Sequence, residues 1–232
     1  MLKVATQSNT EPANSQHFIC EMRLAFLALL TLRARAAPAA DAVTSLPGYG
    51  KPPTPQYSGY LDAGAAEPGT MLHYWFAASS LPNAHDTPVV LWLNGGPGSS
   101  SVLGMLQEQG PLIIDRDGGL MENPYAWTKV ANFFVVESPG GVGYSYCAAM
   151  KTGGSCSNTD ITTAKAAHAA LQDFFTSKFP ELRGNPFYIT GAGAICRVTD
   201  RGPIATPGFF RLRLTQRVWG LTIDAGTPLR NR

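Results

Sequence analysis

Five consecutive apolar residues, Val89–Leu93, stand between Pro88 and the turn-forming run Asn94-Gly95-Gly96-Pro97-Gly98. The run is too short for a core helix and does not alternate. It therefore describes a strand covered on both faces, as in a parallel sheet flanked by helices. Phe133-Phe134-Val135-Val136 has the same character, and further β-like runs occupy residues 56–61, Met71–Ala77 and residues 187–190. Between them, residues 100–109 can form a helix. Residues 162–179 form a clearer one, with Ala164, Ala167, Leu171 and Phe174 or Phe175 at helical spacing, Asp160 or Thr162 as N-cap and Pro180 closing it. Strand, helix, strand, helix, strand is the order of an α/β sheet with crossover helices. With 44% hydrophobic and 10% aromatic residues, the chain has material for a packed core, which excludes disorder throughout.

Charge is unevenly placed. Residues 192–232 carry seven arginines and no lysine against Asp200 and Asp224, a net of +5, whereas residues 1–191 carry a net of −3. No block of like charges suggests a nucleic-acid partner. The composition break near residue 192 reads as a frame change or intron read-through, the alternative being a new basic interaction segment.

At the amino end, no apolar stretch is long enough for a transmembrane helix. Residues 24–32 form a short apolar core behind Arg23 and ahead of Ala34-Arg35-Ala36 and Ala37-Pro38-Ala39. That is the pattern of a secretory signal peptide, assigned to residues 22–40 with Met22 at its start; a buried helix is the alternative. Residues 1–21 then form an upstream extension. Secretion permits disulfides. Of Cys20, Cys147, Cys156 and Cys196, the pair Cys147 and Cys156 brackets a Gly-, Ser- and Thr-rich loop that a disulfide could close, with two free thiols as the other possibility. No metal site or cofactor is expected.

Adjacent glycines at the carboxyl end of a buried strand let the backbone approach a ligand, because no Cβ intervenes. Such a turn suits an oxyanion hole, although a plain strand-to-helix turn has the same sequence. The flanking text adds Trp92-Leu93 before the turn and Ser99-Ser100-Ser101 after it. Further on come Glu108-Gln109-Gly110-Pro111, Asn123-Pro124-Tyr125-Ala126-Trp127, Glu137-Ser138-Pro139-Gly140-Gly141-Val142-Gly143-Tyr144-Ser145-Tyr146 and Phe187-Tyr188-Ile189-Thr190-Gly191. In this order the motifs resemble the serine carboxypeptidase family, over roughly residues 47–191.

The resemblance implies an α/β-hydrolase fold and release of carboxy-terminal amino acids from peptides by a Ser–Asp–His triad, in secretions, vacuoles or lysosomes. It implies that Asn94, the Gly95 N–H and Glu108 bind the substrate's terminal carboxylate, that Trp92 supports them, and that the Gly96 N–H is an oxyanion donor. A carboxylate recognised by a second carboxyl group requires a shared proton, hence an acidic optimum. Where the family commonly has Cys after Gly-Pro-Gly, this chain has Ser99.

The match ends where the family continues Gly-Glu-Ser-Tyr-Ala-Gly. This chain reads Gly191-Ala192-Gly193-Ala194-Ile195-Cys196, so Gly193 stands at the nucleophile's position and Ala192 at a carboxylate-binding Glu's. No Gly-x-Ser-x-Gly occurs anywhere. The four histidines, His17, His73, His85 and His168, match no catalytic position and read as surface or packing residues. Cys196 lacks a partner base. Residues 41–191 are thus expected to form a truncated α/β-hydrolase domain, followed by an unstructured tail over 192–232. Ile189 should leave an open strand edge, and the chain alone should be unstable. Three functions follow: a carboxypeptidase gene with a misread, inactive product, a non-catalytic secreted binder of peptide C-termini, or an acyltransferase-type relative. Oligomeric state has no signal in the sequence.

Overall fold

Apolar runs in the chain assemble into one mixed sheet. A computed structural model of the protein describes residues 37–65, 67–96, 98–192, 211–217 and 220–226, the last two segments by their backbone. The proposed extension, the signal peptide as far as residue 36, Cys20, Gly193 and Cys196 lie outside these residues.

The strands are β1 (Gln56–Asp62), β2 (Met71–Ala77), β3 (Val89–Leu93), β4 (Leu112–Ile114), β5 (Leu120–Glu122), β6 (Asn132–Val136), β7 (Phe187–Gly191), β8 (Arg211–Arg217) and β9 (Gly220–Gly226). The order in the sheet is β1-β2-β6-β3-β7-β9-β8, with β4 and β5 forming a separate hairpin. The pairs β3–β6 and β3–β7 are parallel, whereas β1–β2, β2–β6, β7–β9 and β8–β9 are antiparallel. The parallel centre puts the carboxyl ends of β3, β6 and β7 on one edge, where α/β sheets bind ligands.

Helix α1 (Val102–Gln107) follows β3 and helix α2 (Asp160–Asp173) leads into β7. Because side chains alternate along a strand, β6 feeds both layers. Phe134 and Val136 face a large core with Tyr74, Phe76, Leu91, Phe174, Phe179 and Ile189, while Phe133 and Val135 pack with Trp92 and Met105 on the opposite face. Phe134 stacks on Phe174 with ring centroids 4.2 Å apart.

The strand expectations hold almost to the residue, but three others are corrected. First, α2 starts at Asp160 with Thr159 as its N-cap, neither Asp160 nor Thr162. Thr159 Oγ1 accepts from the Thr162 N–H at 3.1 Å, and Thr162 Oγ1 accepts from the Thr159 N–H at 2.8 Å, a capping box in which Thr replaces the usual acid. The helix passes into a wider turn at Phe174–Lys178 before Pro180. Second, the tail contributes β8 and β9, so it is not unstructured at those residues. Third, the edge at Ile189 is not open, since Ile189 pairs with Ile223 of β9. Residues 211–217 and 220–226 supply in-register backbone partners, and Arg211-Leu212-Arg213-Leu214 and Leu221-Thr222-Ile223-Asp224 carry the polar–apolar alternation of strands, a period that the break in composition obscured.

Cys147 and Cys156 form a disulfide with Cα atoms 5.8 Å apart, closing the Gly- and Ser-rich loop between them. Among the described residues, no helix is long and apolar enough to cross a membrane.

Candidate functional site

Trp92 is the fourth residue of β3 and is 7% exposed, on the face that also carries Phe133 and Val135. Its ring meets Trp127 edge-on at 5.8 Å. Gly104 of α1 makes room for it, because a Cβ there would run into the indole Nε1 and Cδ1. The Trp92 Nε1–H donates to Asn94 Oδ1 at 2.7 Å. Indole nitrogen can only donate, so this bond fixes the amide's orientation and leaves the Asn94 NH2 directed away from Trp92. The Asn94 backbone N–H donates to Ser101 Oγ at 3.1 Å, tying the base of the turn, and Ser99 N–H donates to Gly95 O at 3.2 Å.

Gly95 is half-buried and Gly96 exposed, with Gly96 at φ 130. A Cβ on Gly96 would stand 3.0 Å from Gly98 N and 3.1 Å from Ser99 N, so the turn needs glycine for both its dihedral and its space. Beside it, the Ala192 N–H donates to Leu93 O at 3.2 Å. The end of β7 therefore lies beside the end of β3, from which the glycine turn leads off.

Glu108 is placed differently from Asn94 and the glycines. It follows α1, whose six residues rise about 9 Å, and the neighbouring Gln109 Oε1 lies, like the Trp92 indole, against Gly104. Its exposed carboxylate accepts from Gln109 Nε2 at 3.0 Å. Its backbone is held by buried Asn123, whose Nδ2 donates to Glu108 O at 2.7 Å and Gly110 O at 2.9 Å. The structure thus brings Trp92, Asn94, Gly95, Gly96 and Ser101 together and leaves Glu108 exposed at the end of α1.

A second cluster was not foreseen. Glu137, 1% exposed, directly follows β6, and its carboxylate has three described donors: Ser100 Oγ to Oε1, the Tyr144 N–H to Oε2 at 2.8 Å, and His73 Nδ1 to Oε2 at 3.0 Å. His73 Nε2 in turn meets Ser58 Oγ at 2.9 Å, and His73 is ringed by Tyr60 and Tyr144. Burial alone would raise the Glu137 carboxyl. The hydrogen bonds from His73, Ser100 and Tyr144 outweigh it and hold the group below the usual carboxylate range. Gly143 is required here, since a Cβ would collide with the Glu137 carboxylate. Ser58, His73 and Glu137 have the partners of a catalytic trio, yet Ser58 lies on edge strand β1. That is three strand spacings, about 14 Å, from β3 and its turn. His73 therefore is a packing residue with a polar duty.

These features have counterparts. The family model for serine carboxypeptidases matches residues 47–193. The lysosomal protective protein of Mus musculus is 44% identical over 172 residues, covering 72% of this chain and 34% of its own length. Serine carboxypeptidase ctsa-4.1 of Caenorhabditis elegans is 46% identical over 158 residues, covering 67% and 32%. Carboxypeptidase Y homolog A of Sclerotinia sclerotiorum is 47% identical over 136 residues, covering 59% and 23%. The chain thus spans about a third or less of these relatives' length. Among solved structures, Kex1(delta)p, a prohormone-processing carboxypeptidase from Saccharomyces cerevisiae, superposes with a TM-score of 0.52 at 24% identity, covering 60% of this chain and 31% of its own. At that identity the likeness speaks for the α/β-hydrolase fold.

Proposed function

Because the chain belongs to the serine carboxypeptidase family, we propose that its glycine turn binds the carboxy-terminal carboxylate of peptides, and that this 232-residue chain holds such peptides without cleaving them. The observation that carries the reading is the 2.7 Å bond from Trp92 Nε1 to Asn94 Oδ1. It fixes the orientation of a side-chain amide that precedes Gly95 and Gly96 in the chain. In this reading the amide and the Gly95 N–H serve the carboxylate at the end of a parallel strand, and the Gly96 N–H serves the scissile carbonyl oxygen. Glu108 completes the set in this reading, and a carboxyl–carboxylate contact there favours acidic conditions.

Cleavage needs an attacking hydroxyl and a base. By the resemblance, Gly193 supplies no side chain at the nucleophile's position. A secretory route to an extracellular, lysosomal or vacuolar space fits both the disulfide and the proposed signal peptide.

Calorimetric titration with an N-acetylated dipeptide and with its C-terminal amide tests this. The acid is expected to bind more tightly than the amide, with the difference larger at pH 5 than at pH 7. No free amino acid should be released, and no fluorophosphonate label taken up. Equal affinity for acid and amide overturns the binding reading, and release of an amino acid overturns the inactive one. The Arg-rich composition after Ala192 favours a second reading at the level of the gene. A transcript encoding Gly-Glu-Ser-Tyr-Ala-Gly across codons 185–200 would assign peptidase activity to the locus.

A further inference from the structure

Asn94 and Glu137 are the residues that follow two neighbouring parallel strands, β3 and β6, which pair through Trp92 and Val135. The register therefore sets them side by side at the sheet's carboxyl edge. Ser100 lies between them. Its Oγ accepts from the Val102 N–H at 3.2 Å, fixing the start of α1, and donates to Glu137 Oε1. Among the described hydrogen bonds, this last is the one that joins residues 94–101 to a segment outside β3 and α1.

We propose that Glu137 is a positioning residue of the glycine turn, acting through Ser100 to hold the donors of Asn94, Gly95 and Gly96 in the arrangement that receives a peptide's terminal carboxylate. The inference rests on the carboxylate-binding reading given above. A turn rich in glycine has no side chains of its own to stiffen it, so its N–H groups converge on a ligand only if something external fixes its ends. Trp92 and Ser101 fix the first end, and Glu137 fixes the second. A carboxylate suits this duty because it accepts from several directions at once. Here Oε1 takes Ser100, while Oε2 takes Tyr144 and His73, and each of these partners lies on a different segment. His73 and Tyr144 hold the carboxylate in place, and Ser100 transmits that placement to the turn. Gly143 leaves the space the carboxylate fills. Burial of an acid with every described donor engaged costs desolvation, which a purely apolar contact would avoid, and the expense is understandable if the group must fix a polar turn.

The test uses the full chain labelled with 15N. The readouts are the indole Nε1–H resonance of Trp92, the amide resonances of residues 94–96, and the affinity ratio between an N-acetylated dipeptide and its amide. S100A removes the link while leaving Glu137 its other partners. It is expected to stay folded, to shift the Trp92 indole and turn resonances, and to reduce the acid-over-amide ratio at least about fivefold, the worth of one hydrogen bond. S100T keeps the hydroxyl and is expected to restore both. E137Q should move the same resonances in the same direction. If it does not fold, S100A and S100T carry the test. An S100A chain with unmoved indole and turn resonances and an unchanged ratio overturns the proposal. If the wild-type chain does not distinguish acid from amide, the carboxylate reading fails. The resonances of the free variants then still decide whether Glu137 positions the turn.

Discussion

The orientation of one amide group decides whether the glycine turn presents donors or an acceptor to an incoming anion. Asn94 has both, and the Trp92 indole removes the ambiguity because it can satisfy Oδ1 alone. W92F keeps an aromatic ring against Trp127 but deletes the N–H. It is expected to weaken binding of a free-acid dipeptide by about 1 kcal/mol, roughly fivefold, while leaving the amide unaffected in titration calorimetry. Glu137 makes the second prediction at this scale. Its carboxyl is held below the ordinary range, so its contribution to stability is complete above the unfolded-state carboxyl value of about 4.3 and disappears as pH falls through the lower folded value. E137Q should therefore melt well below wild type at pH 6, and the gap should narrow as the pH is lowered toward 3. A gap that is constant across that range would mean Glu137 does not contribute as an ionised group. Trp92, Asn94, Gly95 and Gly96 were legible because they are contiguous and their motif is distinctive. Glu137's role was not, because its partners Ser100 and His73 lie 37 and 64 residues away and only the sheet brings them together.

Among the elements, β3 and β6 were readable as doubly covered strands, since unbroken apolar runs admit no solvent face. Helix α2 was readable in existence but not at its start. Thr159 and Thr162 satisfy each other's backbone N–H groups, a reciprocal arrangement that single-residue cap preferences do not reveal. T159A is expected to lower the unfolding free energy by about 1 kcal/mol in urea titrations, with the m-value unchanged. The loop closed by Cys147 and Cys156 should matter somewhat more. Its short span constrains the unfolded chain by about 2.5 kcal/mol, so reduction with dithiothreitol should lower the melting temperature by several degrees. An unchanged melting temperature after verified reduction would show that the loop is held by other contacts.

For the whole molecule, the decisive point is how the sheet ends beyond β7. The sequence led to an exposed edge at Ile189, whereas β9 pairs with β7 on one side and with β8 on the other. Ile223 has a partner on both sides, Ile189 of β7 and Leu214 of β8, so proline there removes a ladder bond whichever way its N–H points. I223P is expected to reduce hydrogen-exchange protection across Phe187–Gly191 and to raise dye binding to exposed apolar surface. Unaltered protection at Ile189 would show that β9 does not cover that edge.

What the sequence determined by itself is local: which runs are strands, where a glycine turn follows a buried one, and which family those motifs belong to. Periodicity and turn chemistry act over a few residues and are written in order along the chain. The tertiary structure decided what depends on neighbours far apart in the chain. It put Glu137 beside Asn94, gave His73 a buried carboxylate partner and supplied β9 as a partner for β7. Each of these is set by strand order and register, which follow from how separate apolar faces pack together.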